Sequence, residues 1–242
     1  MRILVFQHLD IEHPGIFRDF LDADGIPWDV VELDAGDPIP DLDGYSALVV
    51  MGGPMDVWEE DQHSWLVPEK RAIRAAVLDR RLPYLGLCLG HQLLGDALGG
   101  RVGKARAPEV GIMQVTLNSA GQTDPLFAGI APTTECLQWH GAAVLEPPPG
   151  ATVLAHSPLC DVQAMRVGRH AYGIQFHIEV TAETVPQWSA VPAYKAALEK
   201  VLGAGAAETL ALQTETRLPA FARDARTLYD NFMRMLRSPA QA

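Results

Sequence analysis

The chain has 242 residues, 48% of them hydrophobic, and a formal charge of −11 from 19 basic and 30 acidic side chains. That is enough apolar material for one long domain with a sizeable core, and it excludes a disordered chain. The acidic balance repels phosphate backbones, so no nucleic-acid partner is expected.

The opening segment, MRILVFQHLD, turns acidic within ten residues, whereas a secretory signal needs a basic end and a longer apolar stretch. No uncharged apolar run reaches the ~18 residues of a membrane span, so no membrane partner is expected and the cytoplasm is the default location. Arg2–Gln7 reads as a first buried strand, and Pro14–Ala23 as a helix with Ile16, Phe17, Phe20 and Leu21 on one face, stopped by Gly25. Trp28–Leu33 and Tyr45–Met51 are strand-like, the latter wholly apolar over Ala47–Met51, as a strand covered on both faces should be. Pro68 suits the first turn of a helix running to Arg81 with Ile73, Ala76 and Val77 buried. Pro83–Leu87 is a fourth strand and Gly90–Leu98 a helix, ended by Gly99-Gly100.

This β-α-β-α alternation predicts a parallel sheet with helices on both faces. Beyond residue 100 closely spaced strands follow: Ile112–Leu117, Thr152–Ala155, Val162–Arg166 and Ala171–His177, with a hairpin turn at Val167-Gly168-Arg169-His170. Pro147-Pro148-Pro149-Gly150 is a loop. From Ala182 onward the pattern is helical, with Leu228, Phe232, Met235 and Leu236 as a last apolar stripe.

Gly86-Leu87-Cys88-Leu89-Gly90 lies between a strand and a helix and has the form of a nucleophile elbow with Cys in place of Ser. Such a turn strains the middle residue and leaves no room for side chains two residues either side. It sets the sulfur at a helix N-terminus, where thiolate is favoured. Cys136 and Cys160 lack this context and read as structural. Three cysteines, odd in number and far apart, do not form a disulfide framework.

A thiolate that attacks an amide needs a proton donor for the departing amine. Among eight histidines, His177 stands out because it ends the apolar run Tyr172–Phe176. Glu179, two residues on, lies on the same side of an extended chain and can hold the ring's tautomer. A zinc site would need a third ligand at metal spacing, which this pair lacks. Met51-Gly52-Gly53-Pro54-Met55 follows the all-apolar strand. Pro54 has no N–H, which leaves Gly53 as one oxyanion donor; the N–H of Leu89, next to the nucleophile, is the second.

Gly52-Gly53-Pro54, Gly86–Leu94 and Gln175-Phe176-His177-Ile178-Glu179 together resemble the signatures of class I glutamine amidotransferases, and the chain is most similar to the amidotransferase part of GMP synthase and to stand-alone proteins like it. The resemblance covers residues 1 to about 180. It implies a flavodoxin-like, doubly wound α/β fold: a mostly parallel sheet with helices on both faces and a small antiparallel extension. It implies a Cys88–His177–Glu179 triad that hydrolyses the γ-amide of glutamine through a cysteinyl thioester, giving glutamate and ammonia, with no metal or organic cofactor. Gln92 matches a substrate-binding position, and Gln138-Trp139-His140-Gly141-Ala142 looks like a second substrate loop, making Trp139, Gly141 and Ala142 candidates for contact with the amino-acid end of the substrate. Glu109-Val110-Gly111 resembles a segment that follows the nucleophile helix in GMP synthase.

Residues 1–180 are therefore expected to form the amidotransferase domain and 181–242 a helical extension packed on it. Two departures stand out. Ala142 replaces an acidic residue of the GMP synthase relatives, and no Ser-Gly-Gly-x-Asp-Ser nucleotide loop is present, so a separate synthetase subunit would have to accept any ammonia. Three other readings compete: a γ-glutamyl peptidase acting on γ-glutamyl peptides or conjugates, a catalytically silent regulatory module, which the complete triad disfavours, and an α/β-hydrolase esterase, whose acid precedes its histidine by a long interval.

Overall fold

The computed structural model describes residues 1–237. It contains strands β1 (Ile3–Gln7), β2 (Trp28–Glu32), β3 (Ala47–Val50), β4 (Tyr84–Leu87), β5 (Arg101–Leu117), β6 (Thr133–Glu146), β7 (Ala151–His156), β8 (Ala164–Val167) and β9 (Ala171–Ile174). The helices are α1 (Phe17–Ala23), α2 (Leu66–Arg74), α3 (Leu89–Ala97), the single turn α4 (Ser119–Gln122), α5 (Thr184–Ala190), α6 (Pro192–Leu202), α7 (Ala206–Glu215) and α8 (Leu218–Arg237). One nine-stranded sheet runs β2-β1-β3-β4-β9-β8-β7-β5-β6. β2, β1, β3, β4 and β9 are mutually parallel. From β9 to β6 every pairing is antiparallel.

The expected α/β architecture is present, and strand alternation explains how it packs. Ile3, Val5, Val49 and Leu85 face α1 and α8, meeting Phe17, Leu21, Leu228 and Phe232. Their neighbours Leu4, Phe6, Leu48 and Val50 face the other way, onto Leu66 and Ile73 of α2 and Leu93 and Leu94 of α3. Each such fully buried side chain stabilises the fold by about 1.5–3 kcal/mol. A third cluster joins Leu137 and Trp139 of β6 to Trp188, Tyr194, Leu198, Leu210 and Phe221 of α5–α8. The helices after residue 181 thus lie against the antiparallel half of the sheet, and α8 also covers the parallel half.

Three differences from the sequence expectations are local. The helix after Pro68 begins at Leu66 and ends as a π-helical turn over Ala75–Asp79. β5 starts at Arg101 rather than Ile112. The segment Gln138–Ala142 lies inside β6, paired with Lys104 and Glu109–Gly111, and not in a loop. No described helix is long and apolar enough to cross a membrane.

The β4–α3 turn packs backbone against backbone. A Cβ on Gly90 would lie 2.1 Å from the Val50 carbonyl oxygen, and one on Gly86 would lie 2.4 Å from the Gly90 carbonyl oxygen. Backbone cannot yield as a side-chain tip can. Gly90→Ala is expected to destabilise the fold by about 1–3 kcal/mol or more, whereas Gly141→Ala, whose Cβ would meet nothing within 4 Å, should leave the denaturation midpoint in place. Equal midpoints for the two variants in urea would contradict the close approach.

Candidate active site

Cys88 sits at the N-cap of α3 with φ 51° and ψ −102°. Only one other non-glycine residue described, Arg81, has a positive φ. The strain is held from both sides: Cys88 N–H donates to the Ile174 carbonyl of β9 at 2.8 Å and Gly90 N–H to the Met51 carbonyl at 3.1 Å. The Tyr84 hydroxyl fixes the Gly90 carbonyl at 2.7 Å. Leu89 is the first residue of α3, so its N–H has no partner within the helix.

His177 lies just beyond β9, where the chain leaves the sheet and forms a single antiparallel bridge with Leu137. Its Nδ1 is 2.6 Å from Glu179 Oε1, and Glu179 Oε2 accepts the Ile178 N–H at 3.0 Å. The Trp188 ring meets the imidazole edge-on at 4.7 Å. Burial would lower the His177 pKa, but the Glu179 carboxylate and the Cys88 sulfur together raise it well above 6.5. Nε2 has no ordinary hydrogen-bond partner among the described residues, and Cys88 is the group it interacts with.

The pocket over the sulfur has a volume of ≈180 Å³. Gly53, Gln92, Trp139, Gly141 and Ala142, all candidates from sequence, line it together with Cys88. Gln92 Nε2 donates to the Ala142 carbonyl at 3.1 Å and to Gln175 Oε1 at 3.0 Å. Its N–H groups are committed to the protein, which leaves its carbonyl oxygen for a ligand. Gln175 Nε2 in turn lies 3.6 Å from the Cys88 sulfur.

Sequence reasoning missed several contributors. Tyr194, with Ala193 and Ala197 of α6, forms a further wall of the pocket. The Tyr194 hydroxyl donates to Glu12, a carboxyl buried in the loop after β1. Burial raises the Glu12 pKa, although His177 and the tyrosine hydrogen bond oppose the shift. A Cβ on Gly52 would lie 2.6 Å from Glu12 Oε2 and 3.6 Å from Cys88 Cβ, so this second carboxyl stands near Cys88. The only cue was its place at the carboxyl end of a parallel strand, which it shares with Asp10 and His13.

Glu109, His140 and Cys160 also converge, with ligand-capable atoms within 4.8 Å of one another. Both carboxylate oxygens of Glu109 already have partners: Ser157 Oγ at 2.7 Å, Gln163 Nε2 at 2.7 Å and His140 Nε2 at 3.1 Å. Burial pushes the Cys160 thiol up to about 12. A carboxylate saturated by donors and a thiol held protonated make a poor metal site. The cluster braces the pocket wall instead, since His140 Nδ1 holds the Ala142 carbonyl at 2.9 Å.

Residues 18–187 match the family model of glutamine amidotransferase class-I. The glutamine amidotransferase-like protein YfeJ of Salmonella typhimurium is 34% identical over 76% of this chain and 78% of its own length. A glutamine-hydrolyzing GMP synthase subunit of Sulfurisphaera tokodaii is 38% identical over 59% of this chain and 72% of its own. The crystal structure of a glutamine amidotransferase from Thermotoga maritima superimposes with a TM-score of 0.86 at 30% identity, covering 98% of this chain and 99% of the other. That last match includes the helices after residue 181.

Two outcomes follow from the electrostatics. Burial raises the Cys136 pKa well above 9.0 and takes Cys160 to about 12, so iodoacetamide at neutral pH should alkylate Cys88 alone, as read by peptide mass spectrometry. Glu179→Gln removes the largest influence raising the His177 pKa, so an NMR titration of the ring should give a lower pKa in the variant than in the parent; an unchanged or higher value would contradict the pairing.

Proposed function

The chain belongs to the class I glutamine amidotransferase family, and on that premise we propose that it hydrolyses the γ-amide of glutamine to glutamate and ammonia, with Cys88 as nucleophile. The observation that carries this reading is the buried His177–Glu179 pair, 2.6 Å apart, directed at a cysteine held in a strained elbow. Cys88 attacks the γ-carbonyl, and the developing oxyanion lies between the N–H groups of Gly53 and Leu89. His177 passes the thiol proton to the departing ammonia, leaving a γ-glutamyl thioester, and then activates water to release glutamate. Glu179 orients the imidazole and stabilises its cation. The free carbonyl of Gln92, together with Trp139, Gly141 and Ala142, receives the amino-acid end of the substrate. These steps use only groups of the chain itself.

Residues 1–180 carry the chemistry in this reading, and the helices that follow supply a pocket wall through Tyr194. A separate synthetase subunit is the natural acceptor of the ammonia, docking over the carboxyl ends of the parallel strands where Cys88 lies. Three free cysteines suit a reducing compartment, and we place the protein in the cytoplasm.

The test is direct. The purified protein is incubated with glutamine, γ-glutamyl dipeptides and glutathione, and released glutamate is measured. Glutamine should be the preferred substrate; faster cleavage of the γ-glutamyl peptides would replace this reading with a γ-glutamyl peptidase, for which the same triad serves. Cys88→Ala and His177→Ala should each lose activity by on the order of 10³-fold or more, and Glu179→Gln should lose less than His177→Ala.

A further inference from the structure

His8 follows β1 and is fully buried, its ring stacked on Trp65 at 5.3 Å. Nδ1 lies 2.7 Å from the Gly52 carbonyl oxygen and Nε2 2.9 Å from Glu69 Oε1. The Gly52 carbonyl oxygen can only accept, so Nδ1 is the donor in that contact, and Glu69 anchors the other side of the ring. Burial disfavours a charged ring, but Glu69 and the Gly52 carbonyl outweigh it and raise the His8 pKa from 6.5. Glu69 stands in the first turn of α2 and is itself fully buried.

The Gly52 carbonyl and the Gly53 N–H belong to one peptide unit, and no described peptide bond is cis. In a trans peptide the two groups point in opposite directions. Holding the carbonyl oxygen against His8 therefore turns the Gly53 N–H away from His8. Gly53 lines the pocket with Cys88, and its N–H donates to no other described residue. A Gly-Gly peptide has the least intrinsic resistance to flipping, since neither residue carries a Cβ. Something outside the loop has to fix its plane.

We propose that His8, anchored by Glu69, is a positioning residue that locks the Gly52–Gly53 peptide with its N–H toward the oxyanion of the reaction. The inference rests on the hydrolytic reading above and adds a role for residues outside the triad. It predicts a defect in the chemical step alone. Removing an oxyanion donor costs about 10²–10³ in kcat, so turnover by His8→Ala should fall by that factor with KM within about threefold of the parent. Alkylation of Cys88 by iodoacetamide needs a thiolate and no oxyanion donor, and its rate should be retained.

His8→Asn places an amide N–H2 where Nδ1 stood, and His8→Gln places it one methylene further out. His8→Asn should recover most of the turnover and His8→Gln should not, a contrast between two amides that survives even if His8→Ala folds poorly. Turnover by His8→Asn no better than by His8→Gln, or alkylation falling in step with turnover, would overturn the lock. Failure of the wider reading looks different: the parent itself then releases glutamate from none of the substrates. The lock is still tested in that case, because 15N relaxation dispersion should show microsecond–millisecond exchange at Gly53 in His8→Gln and none in the parent; a Gly53 amide equally quiet in both would refute it.

Discussion

An imidazole buried without a partner loses its charge, and a buried glutamate without one takes up a proton. Pairing the two offsets both penalties, and it leaves the second ring nitrogen free to hold something else. Around the pocket this pairing occurs three times. His177 leans on Glu179 and interacts with Cys88; His8 leans on Glu69 and holds the Gly52 carbonyl; His140 leans on Glu109 and holds the Ala142 carbonyl. Breaking a buried pair by removing one partner costs about 3–5 kcal/mol, because the survivor is stranded. His177 beside Cys88, the Gly52-Gly53 loop and the Ala142 wall of the pocket are each fixed by the same device.

How much of this was legible in the sequence follows from how far apart the partners lie. The elbow is local: five consecutive residues state the turn and the strain on Cys88. His177 and Glu179 are two residues apart, so an extended chain suffices to join them. His8 and Glu69, or Glu109 and His140, meet only through tertiary structure, and no periodicity announces them. β6 was hidden for a related reason. Its centre, Gln138–Ala142, carries an amide, an imidazole and a glycine, which read as loop, yet Gln138 and His140 are buried and His140 is paired. Polarity there marks a function of the strand and not its exposure.

The helices after residue 181 show the converse. Their apolar spacing declares helix plainly, but spacing alone does not say what the apolar face covers. Trp188 and Tyr194 pack against Trp139 of β6, and in doing so they bring an indole edge to His177 and a hydroxyl to Glu12. The segment thus covers one side of His177 and shapes the pocket.

The last strand in the sequence, β9, is the middle strand of the sheet. It slots between β4 and β8, and through Ile174 it fastens the backbone of Cys88. During synthesis the elbow emerges with β3 already made on one side, but with neither β9 on the other nor His177 within reach. The strand that fastens the Cys88 N–H and the His177–Glu179 pair arrive together, when residues 171–179 insert. Order of translation therefore leaves the surroundings of Cys88 incomplete until the sheet has closed.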